Sequence, residues 1–139
     1  MDLRTRLFGG LMRQTVYKSL DAGAMRSRVI NQNLANVATP GYRRKDVSFE
    51  DELRKVMKIK LKGVRTDNNH MTISQENELK KINPKIFEPK DPTLPGEINN
   101  VDVDIENAKL AENQILYNYA LKFATFSKIN AAITGNAAQ

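Results

Sequence analysis

The chain of 139 residues contains no cysteine, no tryptophan and one histidine, and aromatic residues make up 6% of it. Without cysteine, the chain has neither a disulfide framework nor a thiolate metal site. The single histidine, His70, has no Asp or Glu at ligand spacing, so we expect no metal site and no catalytic role there. The few aromatic residues and a mean hydropathy of -0.53 predict a lean hydrophobic core.

Long apolar runs are also absent. No segment approaches the roughly 18 apolar residues of a membrane-spanning helix, so we expect the chain not to span a membrane. Arg4 and Arg6 precede only a short apolar patch without a small-residue cleavage site, so we expect no cleaved signal peptide. No nucleophile–base set, phosphate-binding loop or paired-carboxylate site occurs. We therefore predict that the protein is not an enzyme and uses no cofactor or small-molecule substrate.

The most distinctive stretch covers residues 30–42 and ends in Ala-Thr-Pro-Gly-Tyr. Pro40 disfavours the helical conformation at Thr39 and supplies no backbone N–H. Gly41 then permits a sharp turn with positive φ. We therefore predict that a long N-terminal helix reaches Ala38 and ends there.

Apolar residues recur every three or four positions in both terminal segments, which is typical of helices with one apolar face. The stripe of the first helix, over residues 11–38, comprises Val16, Leu20, Gly23, Ser27, Ile30, Leu34 and Val37. The stripe of the second, over Val103–Ile133, comprises Leu116, Tyr119, Phe123, Phe126, Asn130 and Ile133. We predict that Asp102 or Asp104 caps the second helix and that Gly135 ends it.

The sequence predicts an irregular middle segment. Ser48 can cap a short helix with Glu50, Asp51 and Glu52 in its first turn. Alternation of apolar residues and lysines over 57–62 predicts a short strand, and residues 70–73 a return strand, which together form a candidate β-hairpin. Residues 83–100 hold four of the five prolines and predict an extended linker.

These patterns predict a mainly α fold in which two long terminal helices form an antiparallel coiled-coil pair around an irregular middle. The predicted organisation is a mobile N-terminus (1–10), the first helix and its stop (11–42), a basic middle (43–100) and the last helix (101–135). The two stripes are too rich for one helix pair, so we expect other copies or chains to cover the remainder. The predicted assembly interface comprises Val16, Leu20, Ile30, Leu34, Val37, Leu116, Tyr119, Phe123, Phe126 and Ile133.

Nine basic residues against four acidic ones lie between Arg43 and Arg65. This charge favours either a solvated face or a surface for nucleic acid or an acidic protein. No aromatic platform or helix-turn-helix pattern accompanies the cluster, so we expect no nucleic-acid partner. A basic binding module and a coiled-coil adaptor or chaperone stay open as alternative functions.

Two motifs resemble those of a known family. Residues 33–42 are similar to the signature that ends the first helix of bacterial flagellar rod, hook and filament-junction proteins, and the residues that match are Asn33, Leu34, Ala35, Asn36, Thr39, Pro40, Gly41 and Tyr42. Residues 100–106, followed by Leu-Ala-Glu-Asn at 110–113 and Tyr117, look like the proximal-rod branch of the FlgB type. Residues 46–49 and 66–71 are also similar to that branch.

The resemblance implies a structural subunit of the flagellar basal-body rod, which crosses the periplasm and transmits torque. It implies export by the flagellar type III apparatus without a cleaved signal, and assembly with copies of itself and with other rod and basal-body proteins. The terminal helices would form the inner coiled-coil layer, through a heterologous interface that makes a helical polymer. A chain that buries its stripes only on assembly is expected to be poorly ordered when free.

Overall fold

The computed structural model describes residues 10–58, 75–90 and 99–133. Four helices and two short strands follow one another along these ranges. In chain order they are α1 (Gly10–Ala35), β1 (Asp46–Ser48), α2 (Glu50–Lys58), α3 (Gln75–Lys81), β2 (Lys85–Phe87) and α4 (Val103–Ile133). The predicted mainly helical fold, with a long helix in each terminal segment, is confirmed.

The two long helices lie side by side and run antiparallel. Asn33, near the end of α1, donates a hydrogen bond to Glu106, near the start of α4, at 2.9 Å. Further back along α1, the carbonyl of Gly23 accepts a hydrogen bond from Asn113 at 3.0 Å. At 1.5 Å per residue, α1 is about 39 Å long and α4 about 46 Å. The predicted antiparallel arrangement is therefore confirmed.

Helix α1 ends at Ala35, three residues earlier than predicted. Beyond it the chain forms tight turns, in which the amide of Thr39 bonds to the carbonyl of Asn36 at 3.0 Å and the amide of Tyr42 to that of Thr39 at 3.3 Å. Gly41 has a φ of 70°, as the sequence predicts for this turn. The carbonyl groups of Asn36, Val37 and Thr39, just beyond the helix, also accept hydrogen bonds from a distant side chain, which stabilises these turns in place of a further helical turn.

Helix α4 begins at the predicted cap. A carboxylate oxygen of Asp102 accepts hydrogen bonds from the amides of Asp104 at 2.9 Å and Ile105 at 3.1 Å. Its carbonyl accepts the first helical bond, from the amide of Glu106 at 2.9 Å. Asp102, and not Asp104, is therefore the N-cap residue.

The predicted short helix after Ser48 is confirmed as α2, but Ser48 is not its cap. Ser48 belongs to β1, and the first helical bond runs from the amide of Leu53 to the carbonyl of Phe49 at 3.0 Å. The acidic residues Glu50, Asp51 and Glu52 occupy the first turn. They lie where the helix dipole favours negative charge.

The sheet lies elsewhere than predicted. It joins β1 and β2 in antiparallel register, with Val47 opposite Ile86. The predicted strand over 57–62 is wrong at its start, because Met57 and Lys58 continue α2; its remainder and the return strand at 70–73 lie outside the described residues. Within the predicted linker of 83–100, Lys85–Phe87 form a strand that pairs with β1.

The described elements between the two long helices fold back onto α1. Five buried residues form a core between α1, α2 and α3, namely Ala22, Phe49, Val56, Leu79 and Ile82. The ammonium group of Lys18 holds the end of α3, since it donates to the carbonyls of Lys80 at 3.2 Å and Ile82 at 2.8 Å. This core fixes the middle of the chain against one side of α1.

Candidate functional site

The two sequence motifs meet where the end of α1 faces the start of α4. Residues of the first motif, of the basic elbow that follows it (Arg43, Arg44 and Lys45) and of the segment before α4 form one hydrogen-bonded cluster. We call this cluster the polar junction, and its members are Asn33, Tyr42, Arg44, Lys45, Asn99, Asn100 and Glu106.

Asn33 lies at the centre of the polar junction and is completely buried. Its amide nitrogen donates to the carbonyl of Lys45 at 2.8 Å and to the carboxylate of Glu106 at 2.9 Å. Its amide oxygen accepts from the backbone N–H of Lys45 at 3.0 Å and from the hydroxyl of Tyr42 at 3.1 Å. Both amide protons and both oxygen lone pairs of Asn33 are used, so one side chain joins α1, the elbow and α4.

Glu106 is a carboxylate with 1% exposure, and a buried charge is costly unless it is paired. Besides Asn33, it faces the guanidinium of Arg44 at 3.4 Å and the ammonium of Lys109 at 3.8 Å. Both cations also lie near Asp46, at 3.8 Å and 3.2 Å. The start of α4 therefore depends on the elbow for charge compensation.

Asn99 and Asn100 bind the turn that follows α1. The amide nitrogen of Asn99 donates to the carbonyls of Asn36, Val37 and Thr39 at 2.8 to 3.0 Å. The side-chain oxygen of Asn100 accepts from the backbone N–H of Arg44 at 2.7 Å. The turn that follows α1 is thus stabilised by a residue that lies 60 to 63 positions further along the chain.

The hydroxyl of Tyr42 is held in its protonated form. Burial raises the pKa of Tyr42, and the negative charges of Glu106 and Glu88 raise that pKa further. The neutral hydroxyl is the form that can donate to Asn33. The tyrosine of the Thr-Pro-Gly-Tyr motif therefore adds a contact to the polar junction as well as ending the turn.

A second contact between the long helices lies at Gly23. A Cβ atom at this position would come within 3.1 Å of Cδ2 of Tyr117 and within 3.6 Å of the side-chain oxygen of Asn113. Glycine therefore permits the close approach of α1 to α4 here. Among the side chains of α4 up to Asn130, those that are buried are small or polar, namely Glu106, Asn113, Ala124 and Ser127.

The structure does not bring the two predicted apolar stripes together. On α1, Ile30 is buried, Val16, Leu20 and Leu34 are half-buried, and Val37 is 39% exposed. On α4, Phe123 is half-buried, whereas Leu116, Tyr119 and Phe126 are 54%, 68% and 58% exposed; the side chain of Ile133 is outside the described part. The helix pair thus buries a polar and small face of α4 and leaves much of the predicted stripe exposed.

Most of these contacts were not predicted. The motif identified Asn33 and Tyr42, but it did not indicate which groups their side chains bind. Asn99 and Arg44 were assigned to the linker and to the basic cluster. One signal was available: Asn33 follows the apolar residues Val29 and Ile30 by four and three positions, which places a polar side chain on a buried face.

The basic cluster does not form one cationic face over its described residues. Arg44 lies in the polar junction, and the guanidinium of Arg54 pairs with Asp51 at 3.7 Å within α2. Lys60, Lys62 and Arg65 lie outside the described residues. In the parts of the chain that the structure covers, no group of three or more histidine or carboxylate side chains is placed to hold a metal ion, and none of the described helices is long and apolar enough to cross a membrane.

Several bacterial proteins are similar to the chain along most of its length. The flagellar basal body rod protein FlgB of Bacillus subtilis is 32% identical over 131 residues, which cover 93% of this chain and 97% of that protein. The protein of the same name from Escherichia coli K12 is 33% identical over 109 residues, or 75% of this chain and 78% of its own. That of Borreliella burgdorferi is 30% identical over 106 residues, or 73% and 78%. No protein-family model matches the chain.

Proposed function

The chain belongs to the FlgB family of flagellar basal body rod proteins, and on this premise we propose that it builds the rod by packing its terminal helices against those of neighbouring subunits. Members of this family are structural subunits of the rod in the flagellar basal body, and this chain is one of them. The proposal concerns the residues that make the contacts and the neighbours that they meet.

The exposed apolar side chains of α4 carry the proposal. Ile115, Leu116, Tyr119, Phe126 and Ile129 are each more than half exposed in the single chain. Burying the exposed half of such a side chain is worth about 1 kcal/mol. A row of apolar side chains of this length on a solvent-exposed helix face is typical of a surface that another protein covers.

The polar junction supports the proposal from the other end of the helix pair. Its buried hydrogen bonds set the angle between α1, the elbow and α4, so they determine how the stripe of α4 is presented. We therefore assign the motif residues Asn33 and Tyr42 a structural role in positioning the interface. Leu34 and Val37, which lie next to them, complete the interface on the side of α1.

The neighbours in this proposal are copies of the same chain and other flagellar rod and basal-body proteins. The family relationship supports these partners, together with delivery by the flagellar export apparatus. An exposed apolar surface on one side of the hydrogen-bonded helix pair fits an interface that forms only on assembly.

Sedimentation velocity and far-UV circular dichroism over a concentration series test the proposal. We expect larger species to form as concentration rises, with a parallel gain in helicity. Ile115→Asp should reduce this association, whereas Gln114→Asp, on another side of α4, should leave it unchanged. A single closed oligomer with constant helicity, or equal behaviour of the two variants, would contradict the proposed role of the stripe.

A further inference from the structure

A groove runs along one side of α4, between α4, α1 and α2. Its deeper part is a cavity of about 230 Å³, lined mainly by apolar side chains. A second part of about 380 Å³ continues it toward the start of α4. Arg26, Glu50 and Leu116 line both parts, so they form one depression. We call it the three-helix groove, and its apolar lining includes Ala22, Gly23, Phe49, Leu53, Leu116 and Ala120.

A second apolar surface lies on the same helix but on a different face. Ile115, Tyr119, Phe126 and Ile129 are 57%, 68%, 58% and 52% exposed. Their spacing of four, seven and three residues places them on one face of α4, which we call the outer stripe. At about 100° per residue, the outer stripe lies more than 90° around the helix from the buried Asn113.

We propose that the outer stripe of one copy docks in the three-helix groove of a second copy. This inference rests on the proposed function and names the two surfaces that meet. Leu116 is 54% exposed and lies between the groove and the stripe. The apolar surface is therefore continuous from one to the other.

The positions of the two surfaces decide the type of interface. Because the groove and the stripe occupy different faces of α4, one copy can fill a neighbour's groove while its own groove receives a third copy. Such an interface is heterologous, and it produces an open chain of subunits. Packing of one stripe directly against another would instead be isologous and would close at a dimer.

Charge at the rim of the groove agrees with this occupant. The carboxylate of Glu50 stands at the groove with 55% of its side chain exposed, although it also bonds to Arg26 at 2.6 Å. Lys122 follows Tyr119 by three positions, so its ammonium group lies on the same face of α4 as the outer stripe. When the stripe of a second copy enters the groove, its lysine approaches the exposed side of the carboxylate.

Two variants that each block one surface test the proposal. Ser19→Trp fills the groove from a half-buried position on its wall and leaves the stripe intact. Tyr119→Asp places a negative charge in the outer stripe and leaves the groove intact. We expect neither variant to associate alone, whereas their mixture should form a heterodimer of twice the 15.7 kDa of one chain and stop there. Gln114→Asp, on another side of α4, replaces Tyr119→Asp as the matched control and should still polymerise.

Because the chain contains no cysteine, disulfide cross-linking can test the same docking without introducing a large side chain. Ser19→Cys and Tyr119→Cys are prepared separately, mixed and oxidised. We expect a disulfide between the two different variants, and little between identical ones. This experiment decides the question even where Ser19→Trp fails to fold.

The outcomes separate this proposal from the proposed function. If the wild-type chain assembles but the blocked variants do not complement each other and the cysteines do not pair, the groove assignment is wrong and the rod role stands. Cross-linking mainly between two Tyr119→Cys chains would show stripe-to-stripe packing and would overturn the proposal. If the wild-type chain forms no larger species at any concentration, both proposals fail.

Discussion

Replacing Asn33 with alanine tests the polar junction most directly. The substitution removes all four hydrogen bonds of a fully buried side chain. It also leaves Glu106 with only its two cationic neighbours, at 3.4 and 3.8 Å. The change therefore detaches the elbow and the start of α4 from α1 at the same time.

The expected cost follows from these contacts. Four hydrogen bonds at about 1 kcal/mol each amount to about 4 kcal/mol. Alanine is a better helix former than asparagine and returns less than about 1 kcal/mol. We therefore expect Asn33→Ala to lower the free energy of unfolding by about 3 kcal/mol, which is a large share of the stability of a small domain.

Urea denaturation followed by far-UV circular dichroism measures this loss. Asn31→Ala is the matched control, because Asn31 is an exposed asparagine on the same helix. Its free energy of unfolding should stay within about 0.5 kcal/mol of the wild-type value. A difference of less than about 1 kcal/mol between the two alanine variants would refute the assignment of Asn33 as the residue that joins these elements.

Asn33→Asp sharpens the test, since it replaces the donor to Glu106 with a second carboxylate. Two adjacent buried carboxylates raise the pKa of the pair above the unfolded values. The loss of stability should therefore be greatest at neutral pH and should shrink as pH falls toward about 4, where the unfolded carboxyl groups also bind protons. A loss that does not depend on pH would show that Glu106 is not the partner of residue 33.

Three further predictions concern the helix contact and the turn. Gly23→Val should cost about 2 kcal/mol in urea denaturation because it crowds Tyr117, whereas Gly23→Ala should stay within about 1 kcal/mol of wild type, since alanine gains about 1 kcal/mol of helix propensity. Gly41→Ala should cost about 1 kcal/mol because of its positive φ, and Gly41→Asn less; equal costs would show that φ is not the cause. The pKa of Tyr42 is raised in the folded state. The contribution of its hydroxyl to wild-type stability should therefore be fully present below the unfolded pKa of about 10, and it should be lost as pH rises from there through the folded pKa. Tyr42→Phe removes the hydrogen bond to Asn33, so its free energy of unfolding at neutral pH should be about 1 kcal/mol lower than that of the wild type. Its stability should also decrease less at alkaline pH than that of the wild type, because phenylalanine does not ionise.

Local signals predicted the helices well. The three-and-four spacing located both long helices, and the acidic first turn located α2. The Asp102 cap and the positive φ at Gly41 were also predicted, because each depends on residues within a few positions. The end of α1 was three residues off, because the turns that replace its last residues are held partly by Asn99, a residue far along the chain whose amide binds their carbonyl groups.

The sequence did not predict which face of α4 packs against α1. Periodicity favoured the stripe with the most apolar side chains, whereas the structure buries Glu106, Asn113, Ala124 and Ser127. These side chains fit because Gly23 lets the helices approach closely and because Glu106 and Asn113 are hydrogen-bonded to Asn33 and to the carbonyl of Gly23 on α1. A pattern on one helix cannot show which partner groups the other helix supplies.

By itself, the sequence determined the positions of the long helices, the turn at Pro40 and Gly41, and the family to which the chain belongs. These properties follow from backbone preferences, from the spacing of apolar residues and from motifs that are continuous in the chain. Only the tertiary structure decided that Asn33 and Glu106 share one buried site, that β1 pairs with β2, and which face of α4 remains exposed. Those features depend on contacts between residues far apart in sequence, whose energies exist only when the chain brings both partners together.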